Sequence, residues 1–246
     1  MVFRNIMNFV NIEQFKKAQY ENHPFPHVVI DNFLNNDKID KVLQHINLLS
    51  NDTATVTFID KRSPYEYNKI AWDKNYGEYL KNVFIELNSP EFIQQLEQLT
   101  GIDGLIANDI TLKGAGIHRI TKDGYLQLHT DFNSYHTDNY DKLDRRINLL
   151  LYMNPEWKEE YNGSLWLFNK NTNLCEKKIL PLLNRCVIFN TSKNSVHGHP
   201  EPLNVPDNIY RQSIAVYYYT KNTNGNVDFE GDEPHSTIWY SHYNTK

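Results

Sequence analysis

From Ile106 onward the chain is cut into short apolar or alternating runs: Asp109 to Leu112, Gly116 to Ile120, Tyr125 to His129, Ile147 to Met153, Ser164 to Phe168, Cys186 to Phe189 and Arg211 to Thr220. Glycine, asparagine and proline turns separate them, the pattern of many short strands. Strands of this length bury their apolar faces only by packing against one another, so this half reads as a jelly roll or a similar barrel. Trp166 and Phe168 alternate with Leu165 and Leu167, as on an inner strand.

The first hundred residues differ. Ile39, Val42, Leu43, Ile46 and Leu49 recur at steps of three and four, which predicts a helix over Phe33 to Leu49 capped by Asn35 or Asn36. Ser89-Pro90-Glu91 is a cap followed by proline at the first helical position; Phe92, Ile93, Leu96 and Leu99 form the apolar face and Gly101 stops the helix. Residues 1–23 offer a short helix around Ile12 and Phe15, and Val28 to Ile30 a strand after Pro24-Phe25-Pro26-His27. A strand is expected over Ala54 to Ile59, before a polar stretch at Ser63-Pro64, while Tyr79 to Leu87 fits strand and helix equally. The tail from Lys221 to Glu233 reads as loop, with an edge strand at Thr237 to Tyr240. The expected class is mainly β with N-terminal helices (α+β). No repeat or linker interrupts it, so 1–246 reads as one domain: helix-rich support over 1–105, a β core over 106–220 and a C-terminal extension over 221–246.

Composition narrows the functions. A net charge of −5 with Lys and Arg spread along the chain makes no case for nucleic acid or an anionic membrane. Cys175 and Cys186 lack metal-site spacing and make no disulfide framework, so reduced thiols are expected. The N-terminus is too polar for a secretory signal and no run is apolar enough to span a bilayer. The expectation is a soluble, cytoplasmic protein.

Tyr125-Leu126-Gln127-Leu128-His129-Thr130-Asp131 carries the first chemical signal. Residues two apart share a face of a strand, so His129 and Asp131 can supply two legs of a metal site. Alone, the pair suits equally a turn-capping aspartate beside a barrel histidine. A second pair, His136 and Asp138, lies in the polar run from Asn133 to Arg146 and reads as a solvent-facing lid. Asn194 to Pro200 offers His197 and His199 as the third leg, and spacing does not choose between them. Two histidines and a carboxylate suit a non-haem ferrous ion with exchangeable positions; zinc is the competitor, although no dedicated general base is evident nearby. Farther on, Arg211, Ser213, Ala215, Tyr217 and Tyr219 share one strand face. An inward guanidinium there requires an anion, and its fork fits a carboxylate in two parallel hydrogen bonds, although without the metal motif the arginine reads as an edge-strand salt bridge.

His129-Thr130-Asp131, Arg146 through Trp157, Asn162 through Leu167, His197-Gly198-His199-Pro200 and Arg211-Gln212-Ser213, in that order, resemble the ferrous iron and 2-oxoglutarate dependent dioxygenases, in particular their prolyl hydroxylase-like branch. Pro24 to His27 and Phe33-Leu34 also look like that group, so the likeness runs across most of residues 24–220. It implies a double-stranded β-helix (jelly-roll or cupin-like) core, with Fe(II) on His129, Asp131 and His197. It also implies 2-oxoglutarate with its distal carboxylate on Arg211, assisted by Tyr152 and Ser213. The metal-proximal end of the co-substrate falls at His118, with Tyr125 and Gln127 as alternatives. The implied reaction consumes molecular oxygen, with ascorbate as an accessory reductant, and hydroxylates a C–H bond of a prolyl residue in a peptide or protein. A free amino acid, a sugar or another polar small molecule is the alternative substrate, and a non-catalytic peptide- or carbohydrate-binding module the alternative function. The sequence leaves the oligomeric state open. Two departures stand out: one additional residue between Gly124 and His129, and fourteen residues from His197 to Arg211, longer than usual and filled with Pro202, Asn204, Pro206, Asp207 and Asn208.

Overall fold

The computed structural model describes residues 8–57, 63–108, 116–137, 140–221 and 233–240. In chain order the first part contains α1 (Ile12–Phe15), β1 (His27–Ile30), α2 (Asn36–Asn47), β2 (Val56–Thr57), β3 (Glu66–Trp72), α3 (Glu78–Leu87) and α4 (Pro90–Thr100). The cap at α4 is as expected: Ser89 accepts a hydrogen bond from the Phe92 amide and Gly101 ends the helix in the left-handed region. Asn35 occupies the N-cap position of α2, but its amide donates to the carbonyls of Asn8 and Val10 and ties down the N-terminal segment. The ambiguous Tyr79 to Leu87 is helical, because Leu80, Val83, Phe84 and Leu87 bury one stripe against the core. The strand expected over Ala54 to Ile59 is confined to Val56–Thr57 among the described residues, and β3, which the polar reading of that stretch missed, is its partner.

The second part contains β4 (Gly116–Thr130), β5 (Ser134–Thr137), β6 (Tyr140–Tyr152), β7 (Leu165–Asn169), β8 (Leu174–Ile179), β9 (Arg185–Asn190), β10 (Val196–His199), β11 (Arg211–Lys221) and β12 (Ile238–Trp239). The strand expected at Asp109 to Leu112 lies outside the described residues, as does most of the polar tail. Part of the stretch read as a polar lid is instead the β5–β6 hairpin. The strand order is β1-β9-β6-β11-β4-β10-β7-β8, with β3 and β12 also on β4 and every pair antiparallel. β4 pairs with β11 through residues 116–120 and with β10 through 126–129, so it passes from one layer of the sheet to the other. That curl is the double-stranded β-helix. Among the described residues no helix is long and apolar enough to cross a membrane.

Gly116 to Ile120 and Tyr125 to His129, two runs in the sequence, are one strand with a protrusion between them. From Ile120 to Tyr125, β4 uses five steps where β3 uses two. The protrusion is held by the long His197-to-Arg211 connection: Asp123 donates to the Leu203 carbonyl at 2.9 Å and Leu203 to that of Gly124 at 3.0 Å. Leu203 and Val205 complete a small apolar group with Ile120 and Trp157. The insertion therefore buries its own apolar residues and leaves both flanking strands in place.

Adjacent residues of β4 serve opposite faces. His118 points into the barrel, whereas Arg119 points out under the helices and bolts them to the sheet. Its guanidinium donates to Gln212 Oε1 at 3.0 Å, to the Ile46 carbonyl at 2.9 Å and to the Leu49 carbonyl at 3.2 Å. Trp72 and Tyr210 lie over it at 4.9 and 5.1 Å. Replacing Arg119 by leucine strands the carbonyls at the end of α2, and we expect a loss of about 2–3 kcal/mol in urea unfolding. A change below about 0.5 kcal/mol, the size of an ordinary surface substitution, would show that the bolt is dispensable.

Candidate metal centre

His129 lies near the end of β4, Asp131 just beyond it and His197 on β10, which pairs with β4 so that His197 faces His129. Their ligand atoms lie within 4.8 Å of one another, and all three residues are buried. Each histidine is oriented by the same local bond: Nδ1 of His129 meets the Gln127 carbonyl at 2.8 Å, and Nδ1 of His197 the Ser195 carbonyl at 2.9 Å. A carbonyl only accepts, so Nδ1 carries the proton and, in the neutral ring, Nε2 presents a lone pair. Those lone pairs face the Asp131 carboxylate, 3.6 Å from Oδ1 for His129 and 3.4 Å from Oδ2 for His197. Acceptor facing acceptor in a buried site is unfavourable until a cation sits between them. The donor set thus fits a divalent ion with open positions.

Electrostatics agree with the geometry. Burial raises the Asp131 carboxyl, but Arg145, His197 and His129 override it and hold it well below the usual carboxylate range. Burial, then the neighbouring His129, lowers His197 to about 4 against the pull of Asp131, leaving the ring neutral at physiological pH.

A cavity of about 410 Å³ opens beside the three ligands and is lined by His118, Ser213, Arg211, His199, Lys69 and Tyr217 among others. Arg211 is 6 % exposed. Its Nε donates to the Gly163 carbonyl at 2.7 Å and its Nη2 to the Tyr152 hydroxyl at 3.3 Å, and among the described residues no carboxylate pairs with it. A Cβ on Gly163 would sit 3.1 Å from Arg211 Cδ and 2.5 Å from Leu203, so the glycine makes room for the arginine stem. Burial, then Lys69, Arg211 and Arg145, lowers His118 to about 3 and keeps it a neutral hydrogen-bonding group.

The structure brings His129, Asp131, His197, Arg211, Ser213 and His118 to one cavity; Tyr152 touches Arg211 from behind without lining it. Tyr125 does not belong. Its hydroxyl donates to the Ser63 carbonyl at 2.8 Å and it is absent from the cavity wall. The reason is a bulge. His197 and His199, two apart on β10, pair with His129 and Leu126, three apart on β4. Strict alternation would group Tyr125 with His129; the extra residue puts Leu126 there instead. This is also where the sequence carries its additional residue. His136 is exposed on β5, away from the cavity, and Asp138 lies outside the described residues. His199 lines the cavity with its Nδ1 unpartnered, without being one of the three converging ligands.

Sequence reasoning missed Arg145, Asn148 and Trp239. β12 forms at the expected place, but its role was not foreseen: Trp239 pairs with His129 across the strands, and its ring lies 4.9 Å from the His129 ring and 4.8 Å from that of Tyr65. Asn133, two residues after Asp131, buckles this segment by bonding the Glu233 carbonyl and the His235 amide. A lone tryptophan in a polar tail gives no signal of this contact.

The family model of the 2OG-Fe(II) oxygenase superfamily matches residues 115–219, the stretch that carries this barrel and this ligand set. The chain is also similar to prolyl hydroxylases. It is 26 % identical over 215 residues to prolyl 3-hydroxylase OGFOD1 of Xenopus laevis, covering 84 % of this chain and 37 % of the relative. The Mus musculus protein of the same name is 28 % identical over 201 residues, covering 80 % and 33 %. The chain thus spans about a third of the length of these curated relatives. A prolyl hydroxylase of Trichoplax adhaerens, solved with a hypoxia inducible factor peptide fragment, shares the fold with a TM-score of 0.56 at 18 % identity, over 79 % of this chain and 83 % of that one.

Gly198 faces the bulge, and a Cβ there would meet the Gln127 and Leu126 carbonyls at 2.7 and 2.8 Å. We expect Gly198→Ala to push β10 off β4, lowering thermal stability by about 1–3 kcal/mol. Mn²⁺ affinity should fall at least about 10-fold as His197 leaves His129. Unchanged Mn²⁺ binding by equilibrium dialysis would mean that the bulge does not set the ligand spacing.

Proposed function

We propose that the protein is an iron(II)- and 2-oxoglutarate-dependent oxygenase that hydroxylates an unactivated C–H bond of a prolyl residue in a peptide or protein. The observation that carries this reading is Arg211: a buried cation with no acidic partner among the described residues, beside three side chains that themselves call for a cation. A dicarboxylate with one end at the metal and the other on the guanidinium answers both demands.

His129, Asp131 and His197 would hold the ferrous ion. When bound, iron and 2-oxoglutarate supply the oxidising chemistry, in which the co-substrate loses carbon dioxide to become succinate and one oxygen atom of O₂ enters the substrate. The chain supplies orientation and a dry pocket. Arg211 grips the remote carboxylate, and Tyr152, accepting from Nη2, keeps the guanidinium plane turned toward the cavity. Ser213 and His118, paired across β11 and β4, offer a hydroxyl and a neutral imidazole along the body of the co-substrate. Trp239 shields one face of His129 from solvent.

A peptide substrate is supported by the rim. Val56 lies on the cavity wall, and the exposed Tyr65 stacks on Trp239, which also lines it. Such apolar and aromatic side chains can receive a prolyl ring, and the polar Glu66, Lys69 and Asp73 on the same wall can meet the backbone of a peptide. The curated relatives, named as prolyl 3-hydroxylases, agree.

Under anaerobic conditions, ferrous iron with 2-oxoglutarate is expected to give a weak visible charge-transfer band that His129→Ala abolishes. Arg211→Ala should weaken 2-oxoglutarate binding by about 10- to 100-fold, the value of a charge-assisted hydrogen bond. Wild-type 2-oxoglutarate affinity in that variant would remove Arg211 from the site. Peptide screening by mass spectrometry should show a gain of one oxygen coupled to succinate formation; oxygen gain only on free small molecules would overturn the peptide assignment.

A further inference from the structure

Arg145 and Asn148 are polar side chains in the cavity wall with no part in gripping the co-substrate. Arg145 is 1 % exposed. We propose that the two residues form a positioning clamp that selects a single oxygen of Asp131 for the metal, an inference that rests on the metal centre described above.

The bonds close a ring of three side chains. Asn148 Nδ2 donates to Asp131 Oδ2 at 2.6 Å, and Arg145 Nη2 reaches the same oxygen at 3.1 Å. Arg145 Nε and Nη2 also donate to Asn148 Oδ1, at 3.0 and 2.6 Å, so the amide cannot flip without losing both partners. The guanidinium is held flat, with its carbon 3.6 Å from the Tyr217 ring centre on β11 and 4.6 Å from that of Phe132. Rotation of either donor is blocked, and so is rotation of the carboxylate.

Both donors take Oδ2, which also lies 3.4 Å from His197 Nε2, whereas Oδ1 meets neither donor and lies 3.6 Å from His129 Nε2. A carboxylate held this way binds an ion through one oxygen. Released, it can turn and bind through two, filling a position that a facial His-Asp-His site keeps for exchangeable ligands. The clamp therefore protects the vacancy on which the co-substrate and substrate chemistry depends. The fork and planarity of arginine are needed, because lysine gathers its three donors on one nitrogen, which cannot span Asn148 and Asp131 in a fixed plane, and offers no flat surface for Tyr217.

A simple counter-charge is the competing account: the guanidinium would only neutralise a buried carboxylate, and the bonds to Asn148 would be incidental. The two differ in sign. With the full-length protein, free Mn²⁺ is measured by its electron paramagnetic resonance signal for the wild type, His129→Ala, Arg145→Lys, Arg145→Gln, Asn148→Ser and Arg145→Lys/Asn148→Ser. The clamp predicts an affinity loss of about 10- to 100-fold in Arg145→Lys and in Asn148→Ser. The double variant should be no weaker than the worse single one, because the two residues act as a unit. The visible spectrum of the Co²⁺-loaded protein should change in both single variants as the coordination number changes. Wild-type affinity in Arg145→Lys and Asn148→Ser, with tighter Mn²⁺ binding in Arg145→Gln, would overturn the clamp in favour of the counter-charge. If the wild type binds Mn²⁺ no better than His129→Ala, the metal centre itself fails, a result distinct from loss of the clamp alone. Unfolding curves accompany each variant; if Asn148→Ser does not fold, the Arg145→Lys and Arg145→Gln pair still decides between the accounts.

Discussion

Two imidazole nitrogens and a carboxylate face one another at 3.4–3.6 Å in a place that bulk water barely reaches. Much of the barrel is arranged to keep them there. Two backbone carbonyls fix the rings, β10 is held against β4 by hydrogen bonding, and Asp131 is anchored from behind by Arg145 and Asn148. The cost of assembling three acceptors is offset by tertiary packing, and a bound cation would relieve it. The site is best understood as a mould for a positive ion.

The neighbouring anion site follows the opposite logic. Arg211 brings a positive charge into a buried position where its protein partners, the Gly163 carbonyl and the Tyr152 hydroxyl, are neutral. Among the described residues a cation mould and a cation with no carboxylate partner share one cavity, an arrangement that suits a ligand negative at both ends. The outer surface of the same strands is occupied with support. Arg119, one residue from His118, joins the end of α2 to the sheet, so the helices that contribute no cavity side chain still fix the position of β4.

Much of this was legible in the sequence because it depended on short-range rules. Ser89, Pro90 and Gly101 mark α4 because caps act within one turn. His129, Asp131, His197 and Arg211 could be named because they fall in a recognisable order along strands whose apolar content betrays them. Two of the failures came at bulges. On β4 an extra residue opposite Gly198 separates Tyr125 from the face of His129. On β6, Ile147 and Arg145 are two apart while their partners Tyr218 and Tyr219 are adjacent, and the irregularity turns Arg145 toward Asn148, where alternation alone would place Arg146. Parity arguments fail at such points because a single inserted residue reverses every side chain that follows.

By itself the sequence pointed to a β barrel with N-terminal helices and to the pair His129 and Asp131, since residue type, turn residues and periodicity act locally, while His197 was chosen over His199 only through the family resemblance. Only the tertiary structure decided which oxygen of Asp131 meets Arg145 and Asn148, that Trp239 lies against His129, and that the long connection before Arg211 is a packed support for β4. Those depend on contacts between segments as far apart as Tyr65 and Trp239, or Asp123 and Leu203. No local preference encodes such a meeting, because the pairing of strands and the placement of bulges set the distance.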